Sequence, residues 1–113
     1  IDIATTVLAA SKLEPAEGMQ GINILNAEER KERDAIYAET YAHDFISVDS
    51  SLYHRVIISR PWKLILTDPA YDPDRGPELY NLDADPFEWD NQAEEHPEIV
   101  AGLQEQLETW WTK

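Results

Sequence analysis

The chain has 113 residues, no cysteine and a formal net charge of −14, from 23 acidic and 9 basic side chains. Its content of 42% hydrophobic and 10% aromatic residues is typical of one small folded domain and not of a disordered acidic tail. This negative charge would repel phosphate backbones and anionic lipid, so neither nucleic acid nor a membrane surface is expected as a partner. No apolar run reaches the length of a membrane span, and disulfides and thiolate metal sites within the chain are excluded.

The first residues indicate a piece of a longer protein. The chain begins at Ile1 and not at Met, and residues 2–13 are predicted to form a short helix. The predicted apolar face of this helix contains Ile3, Val7 and Leu8. Because an isolated helix of this length is marginal in water, we expect that face to pack on a surface outside the chain.

A polar connector follows the predicted first helix. Residues 19–26 are expected to form a loop. If the charged residues 27–34 adopt regular structure, we expect it to be helical. Within this charged segment Glu29 and Arg33 are four residues apart, a spacing that favours an ion pair on a helix. The simplest interpretation is a solvated surface connector.

Four short segments predict strands: residues 35–41, 53–59, 62–67 and 78–82. Ile36, Ala38 and Thr40 should share one face of the first strand. Pro61 lies between the second and third segments and cannot donate within a central ladder, which favours a hairpin there. Residues 42–52 are predicted as a loop in which three apolar side chains tuck against the domain: Phe45, Ile46 and Val48.

The most clearly predicted helix covers residues 97–112. Pro97 suits the first helical position. The apolar stripe of this helix consists of Ile99, Val100, Leu103, Leu107, Trp110 and Trp111. The predicted fold class is therefore α+β: a small antiparallel sheet of about four strands, covered on one face by this amphipathic C-terminal helix. The sheet residues expected to face the helix are Val56, Ile58, Leu64, Leu66 and Leu79.

No catalytic or metal-binding pattern is present in the sequence. The histidines lack the i, i+4 spacing of a helical zinc pair, and the Asp-rich residues 68–74 lack an EF-hand pattern. There is no Gly-x-Ser-x-Gly elbow and no phosphate-binding glycine loop. We therefore predict no catalytic residue and no metal ligand in this chain.

One polar cluster is a candidate site. His43 and Asp44 follow the first predicted strand, and His54 and Arg55 begin the second. If these strands are neighbours, the four side chains could gather near one end of the sheet and contact an anionic sugar substituent. The alternative is a solvated polar rim in which the bases pair with surplus carboxylates.

Four segments in collinear order together resemble the C-terminal part of sulfatases, in the alkaline-phosphatase-like superfamily. They are residues 2–25 (DIATTVLAASKLEPAEGMQGINIL), 33–44 (RDAIYAETYAHD), 53–66 (YHRVIISRPWKLIL) and 78–111 (ELYNLDADPFEWDNQAEEHPEIVAGLQEQLETWW). The last contains the pattern ELY-(D/N)-L-x-x-D-P-x-E-x-x-N. The likeness is greatest to bacterial arylsulfatases and heparan N-sulfatase-like enzymes. Thr5 and residues 87–90 (FEWD) depart from the usual family residues.

The resemblance implies a parent enzyme that hydrolyses sulfate esters or sulfamates, with sulfated carbohydrates as substrates. Family members use a formylglycine, made from Cys or Ser in a C/S-x-P-x-R motif, and a calcium ion held by aspartates and an asparagine. No residue here matches those motifs. We therefore expect no cofactor in this chain, and we expect the parent enzyme to use calcium and a formylglycine residue. The chain alone is expected to be inactive, and the parent to be periplasmic or extracellular.

The resemblance also implies a division of the chain. Residues 1–34 would belong to the edge of the missing catalytic domain, and residues 35–113 would form the C-terminal subdomain, which packs on the catalytic domain of the same polypeptide. The subdomain can line the substrate cleft, which makes His43, Asp44, His54 and Arg55 candidates for the substrate rim. An alternative is a non-enzymatic acidic module that binds a protein partner through an apolar face. A related phosphatase or phosphonate hydrolase is a third possibility.

Overall fold

A computed structural model of the chain describes residues 1–44 and 46–111. Its elements, in chain order, are α1 (Asp2–Ala10), α2 (Ala27–Glu32), β1 (Ile36–Tyr41), α3 (Val48–Ser51), β2 (Leu52–Ser59), β3 (Trp62–Thr67), β4 (Glu78–Asn81) and α4 (Pro97–Trp110). The chain divides into two compact units, Ile1–Asp34 and Ala35–Lys113. Within the described residues, no helix is both long enough and apolar enough to cross a membrane.

Polar contacts organise the first unit. The Asp2 carboxylate accepts hydrogen bonds from the Arg33 guanidinium at 2.6 and 2.8 Å and from the Ile22 amide at 3.0 Å. The bond from Arg33 and the bond from Ile22 lower the pKa of Asp2. The Thr5 hydroxyl is buried and lies 2.8 Å from the carbonyl oxygen of Ile22. These bonds hold α1 against the loop at Ile22.

Two expectations for the first unit need correction. Helix α1 ends at Ala10, three residues earlier than predicted. The predicted pair of Glu29 with Arg33 is wrong, because Arg33 binds Asp2, while Glu29 accepts hydrogen bonds from the Asn23 amide and the Asn26 side chain. A contact 31 residues distant in sequence therefore replaces the local i, i+4 pair.

The second unit contains one four-stranded antiparallel sheet of order β1-β2-β3-β4, with α4 packed on one face. This confirms the predicted α+β fold, and the hairpin predicted at Pro61 joins β2 to β3. Ile36, Ala38 and Thr40 share one face of β1, as predicted.

The predicted facing of β2 is wrong. The sheet pairs Ile57 with Leu64, and Leu64 with Leu79, and all three side chains are fully buried. Ile57 therefore faces α4, whereas Val56 and Ile58 lie on the other face and are half-buried. Ser59 pairs with the first residue of β3, and this pairing across the two-residue turn sets which residues of β2 share a face with Leu64.

The core lies between the sheet and α4. Its buried residues are Ile57, Leu64, Leu79, Ala93, Leu103 and Leu107. Partly buried Ile99, Val100, Leu66 and Trp110 pack against it. The rings of Tyr37 and Trp110 stack, with their centroids 4.7 Å apart and an angle of 7° between their planes. Five of the six residues of the predicted apolar stripe therefore pack in or against the core, whereas the sixth, Trp111, follows α4, which ends at Trp110. Thr112 lies outside the described residues.

The segment between β1 and β2 differs from the predicted loop. It contains the short helix α3, whose preceding residue Ser47 accepts a hydrogen bond from the Ser50 amide. Val48 is half-buried, but Ile46 is 84% exposed, so the expectation that Ile46 tucks against the domain is wrong. Phe45 lies outside the described residues.

Candidate substrate-rim site

His43 and Asp44 form the first part of the candidate rim. They lie just after the end of β1. The pairing of β1 with β2 shifts in register between Thr40 and Tyr41. The Nδ1 atom of His43 lies 3.1 Å from Oδ1 of Asp44, and both side chains are fully exposed. The donor and acceptor roles in this contact depend on the tautomer of the His43 ring. The pair offers a donor and an acceptor to solvent.

His54 and Arg55 are adjacent on β2 and therefore project from opposite faces of the sheet. The Nδ1 atom of His54 lies 2.8 Å from the Thr40 hydroxyl on the neighbouring strand, and its ring meets Tyr71 edge-on at 5.7 Å. The Arg55 guanidinium lies 4.6 Å from the ring centre of Trp111, which is a cation–π contact. Four residues predicted as one cluster therefore occupy different surroundings.

The acidic turn after β4 is fixed by side-chain bonds to the backbone. Asn91 Oδ1 accepts hydrogen bonds from the amides of Leu79 at 2.9 Å and Ala93 at 3.0 Å. Asp85 Oδ2 accepts from the amides of Trp89 at 2.7 Å and Asp90 at 2.9 Å. The Asp and Asn of the sequence pattern thus shape the connection between sheet and helix.

An ion pair also fixes this turn. Lys63 Nζ on β3 lies 2.6 Å from Glu88 Oε2. Glu88 itself has a backbone φ of 58°, in the left-handed region. The Glu of the sequence pattern therefore ties a strained turn to the sheet.

A chain of hydrogen bonds lies on the sheet face opposite α4. Glu78 accepts from Arg75 Nε and from the Tyr80 hydroxyl, each at 2.7 Å. Burial, together with the bond to Glu78, raises the pKa of Tyr80 to about 12. The Arg75 bond lowers the pKa of Glu78. These groups stabilise the edge strand β4.

No cluster of three or more histidine, aspartate or glutamate side chains suited to a metal ion occurs in residues 1–44 and 46–111. The expectation that calcium and formylglycine belong to another part of the parent, and not to this chain, stays a prediction.

An exposed aromatic pair lies in the residues 87–90 that depart from the usual family pattern. Phe87 and Trp89 are 72% and 86% exposed. Their rings stack with centroids 5.5 Å apart and planes 27° apart. The signal that could have revealed them is two large aromatics flanking one acid in a polar turn.

The entire chain, residues 1–113, matches the family described as "N-sulphoglucosamine sulphohydrolase, C-terminal". The chain belongs to this family. The predicted resemblance to the C-terminal part of sulfatases, including the heparan N-sulfatase-like kind, is thereby confirmed.

Relatives of known structure or function agree with this assignment. A 40-residue stretch is 52% identical to an N-acetylgalactosamine-6-O-sulfatase of Bacteroides thetaiotaomicron, covering 35% of this chain and 8% of that protein. A 6S-sulfatase structure from work on glycosaminoglycan metabolism by the same organism has a TM-score of 0.64 at 28% identity, covering 96% of this chain and 24% of that one.

A second similar structure is described as a complex with its substrate, D-glucosamine-2-N,6-O-disulfate. It has a TM-score of 0.69 at 25% identity, covering 96% of this chain and 22% of that chain. The chain spans less than a quarter of the length of each of these relatives.

Proposed function

We propose that this chain is the C-terminal subdomain of an enzyme that hydrolyses sulfate esters or sulfamates of carbohydrates. The observation that carries the proposal is the family match over residues 1–113. The named activity of one relative and the sulfated glucosamine bound in a structural neighbour support sulfated sugars as the substrate class. The similarity to bacterial sulfatases supports a secreted or periplasmic location of the parent.

We further propose that the chain packs on the catalytic domain of the same polypeptide, with residues 1–34 at the edge of that domain and residues 35–113 forming the subdomain. The surface of the first unit supports this packing. Its exposed large apolar side chains are Ile1, Ile3, Val7, Leu13, Met19, Ile24 and Leu25. Thr5 is the one buried residue of residues 1–34. An apolar surface without a buried apolar core is typical of a segment that is covered by another part of a protein.

In this proposal the catalytic domain supplies the formylglycine nucleophile and the calcium ion, and this chain supplies part of the cleft rim. His43, His54 and Arg55 carry N–H groups that can donate hydrogen bonds to sulfate oxygens. Asp44 can accept a hydrogen bond from a sugar hydroxyl. The full exposure of His43 and Asp44 supports a position for both at the rim. The Arg55 guanidinium instead contacts the ring of Trp111, the residue that follows α4.

The test compares the full-length parent polypeptide with the isolated chain of residues 1–113. Both are assayed for sulfate release from an aryl sulfate, an N-sulfated glucosamine and 6-O-sulfated hexosamines. The parent should release sulfate from at least one of these, and the isolated chain from none. Turnover by the isolated chain would overturn the proposal, and an inactive parent would favour the protein-binding module.

The rim assignment needs variants of the parent. His43→Ala and His54→Ala should raise KM for the sulfated sugar about three- to tenfold and change kcat less, because these groups bind substrate without touching the reacting bond. The matched control is Arg60→Ala, which lies in the hairpin at the opposite end of β2 from His54. This variant should leave KM and kcat unchanged. Unchanged KM in both histidine variants would exclude them from the rim.

A further inference from the structure

We propose that Asp2 and Arg33 are positioning residues, whose ion pair fixes the point at which the C-terminal subdomain is attached to the catalytic domain. This inference rests on the proposed function, in which the catalytic domain precedes this chain in the parent polypeptide. The Arg33 guanidinium donates two hydrogen bonds to the Asp2 carboxylate, from Nη2 to Oδ1 at 2.6 Å and from Nη1 to Oδ2 at 2.8 Å. A two-pronged arginine–carboxylate contact of this kind fixes orientation as well as distance.

The pair joins the two ends of the first unit. Asp2 is the first residue of α1, and Arg33 directly follows α2, one residue before the unit ends at Asp34. If it were fully extended, a segment of 31 residues would span about 100 Å. The ion pair instead brings Asp2 and Arg33 within the reach of their side chains. The polypeptide therefore enters and leaves the first unit close to one point.

The surroundings of the pair favour its persistence. The side chains of Arg33 and Asp2 are only 18% and 21% exposed, and the Ile22 amide donates a further hydrogen bond to Asp2 at 3.0 Å. The bonds from Arg33 and Ile22 lower the pKa of Asp2, so its carboxylate stays ionised at neutral pH. The pair of Lys31 with Glu28 differs in each respect. Its side chains are 71% and 74% exposed, and its residues are three positions apart, so it closes no long segment.

Other hydrogen bonds of the first unit show what the pair adds. Thr6 Oγ1 accepts a hydrogen bond from the Ile24 amide at 3.0 Å, and Arg30 donates to the Ile24 carbonyl oxygen at 2.5 Å. These bonds connect α1 to the chain as far as Arg30. Beyond that residue, the bond of Arg33 with Asp2 is a direct contact between the connection to the subdomain and α1.

Loss of the pair should turn residues 31–35 into a hinge. Helix α2 has only six residues and is not stable by itself, so it cannot keep this connection rigid. A flexible connection of five residues has a root-mean-square span of about 12 Å. Such freedom lowers the effective concentration of the subdomain at its place beside the cleft. Substrate binding at the rim should then weaken, while the reacting groups in the catalytic domain stay unchanged.

The test uses Asp2→Asn and Arg33→Met in the parent polypeptide. Each variant should raise KM for a sulfated sugar that the parent hydrolyses about three- to tenfold and change kcat less than about twofold. Arg33→Lys keeps the charge but loses the two-pronged contact, so its KM should lie between those of the parent and Arg33→Met. In limited proteolysis, trypsin should cut after Lys31 at least about fivefold faster in Asp2→Asn, because the connection opens.

Two controls separate positioning from a general loss of stability. Glu28→Gln makes the same acid-to-amide change in the exposed pair with Lys31 and should alter neither KM nor the cutting rate. Ile57→Val removes one buried methyl group from the core of the subdomain and should lower its stability without raising KM. Equal increases in KM for either control and for Asp2→Asn would overturn the proposal.

The proposal is also overturned if Asp2→Asn leaves KM or the cutting rate unchanged in an active parent. A wild-type parent that hydrolyses no sulfated sugar would contradict the proposed function itself. In that case the trypsin measurement still decides whether the pair of Asp2 with Arg33 closes the connection, because it does not depend on turnover.

Discussion

Lys63 on β3 and Glu88 in the acidic turn form an ion pair of 2.6 Å in which each side chain is less than one third exposed. The pair ties the connection before α4 to the sheet. It does so at the residue whose backbone is in the left-handed region. A strained turn conformation persists only where its surroundings hold it, and Lys63 supplies one of those contacts.

Replacing Lys63 by Met should therefore destabilise the chain by about 1–2 kcal/mol, because a half-buried carboxylate loses its partner. Urea unfolding followed by circular dichroism measures the loss. Arg60→Met is the matched control. It breaks the pair of Arg60 with Asp83, whose side chains are 77% and 62% exposed, and should cost about 0.5 kcal/mol or less. Equal losses in the two variants would contradict the role given to Lys63.

Asn91→Ala should destabilise the chain by about 1–3 kcal/mol, because the amides of Leu79 and Ala93 lose their acceptor. The Leu79 amide should also exchange its hydrogen faster, which hydrogen-exchange NMR measures directly. Asn91→Asp is the conservative control, since it keeps an oxygen where both amides donate. Rapid exchange of Leu79 in the aspartate variant as well would contradict this account.

The register of β2 predicts different costs for two neighbouring isoleucines. Ile57 is fully buried against α4, whereas Ile58 lies half-buried on the opposite face. Ile57→Ala should cost about 2–4 kcal/mol in urea unfolding, from lost transfer energy and the cavity left behind. Ile58→Ala removes the same atoms and should cost about 1 kcal/mol. A larger loss of stability for Ile58→Ala than for Ile57→Ala would contradict the assignment of Ile57 to the face covered by α4.

These two residues also show where the sequence was insufficient. Alternation and the position of Pro61 predicted the strands and their hairpin, and the apolar stripe behind Pro97 predicted the covering helix. The face of each β2 residue depends on the length of the hairpin turn, and an error of one residue exchanges Ile57 for Ile58. The pair of Asp2 with Arg33 was equally beyond local spacing rules, because it joins residues 31 positions apart.

The candidate rim was predictable only in part. His54 and Arg55 were both placed in one predicted strand, and strand geometry alone requires them to project from opposite faces. The sequence could not predict the contact of Arg55 with Trp111, because this contact depends on where α4 ends over the sheet. The likeness to sulfatases identified Asp85, Glu88 and Asn91 as a pattern, while the structure gives the bonds that each of them makes.

Tyr80 predicts an alkaline loss of stability. Its pKa rises from the ordinary 10.0 to about 12 in the folded chain, through burial and the bond to Glu78. Below pH 10 both states keep the phenol protonated, and the stability from this group is fully present. As pH rises from 10 to 12 the unfolded state ionises first, so about 2–3 kcal/mol is lost. Tyr80→Phe, although less stable at pH 8, should show a shallower decline in urea unfolding between pH 9 and 11.5. Parallel declines would show that Tyr80 does not titrate differently in the two states.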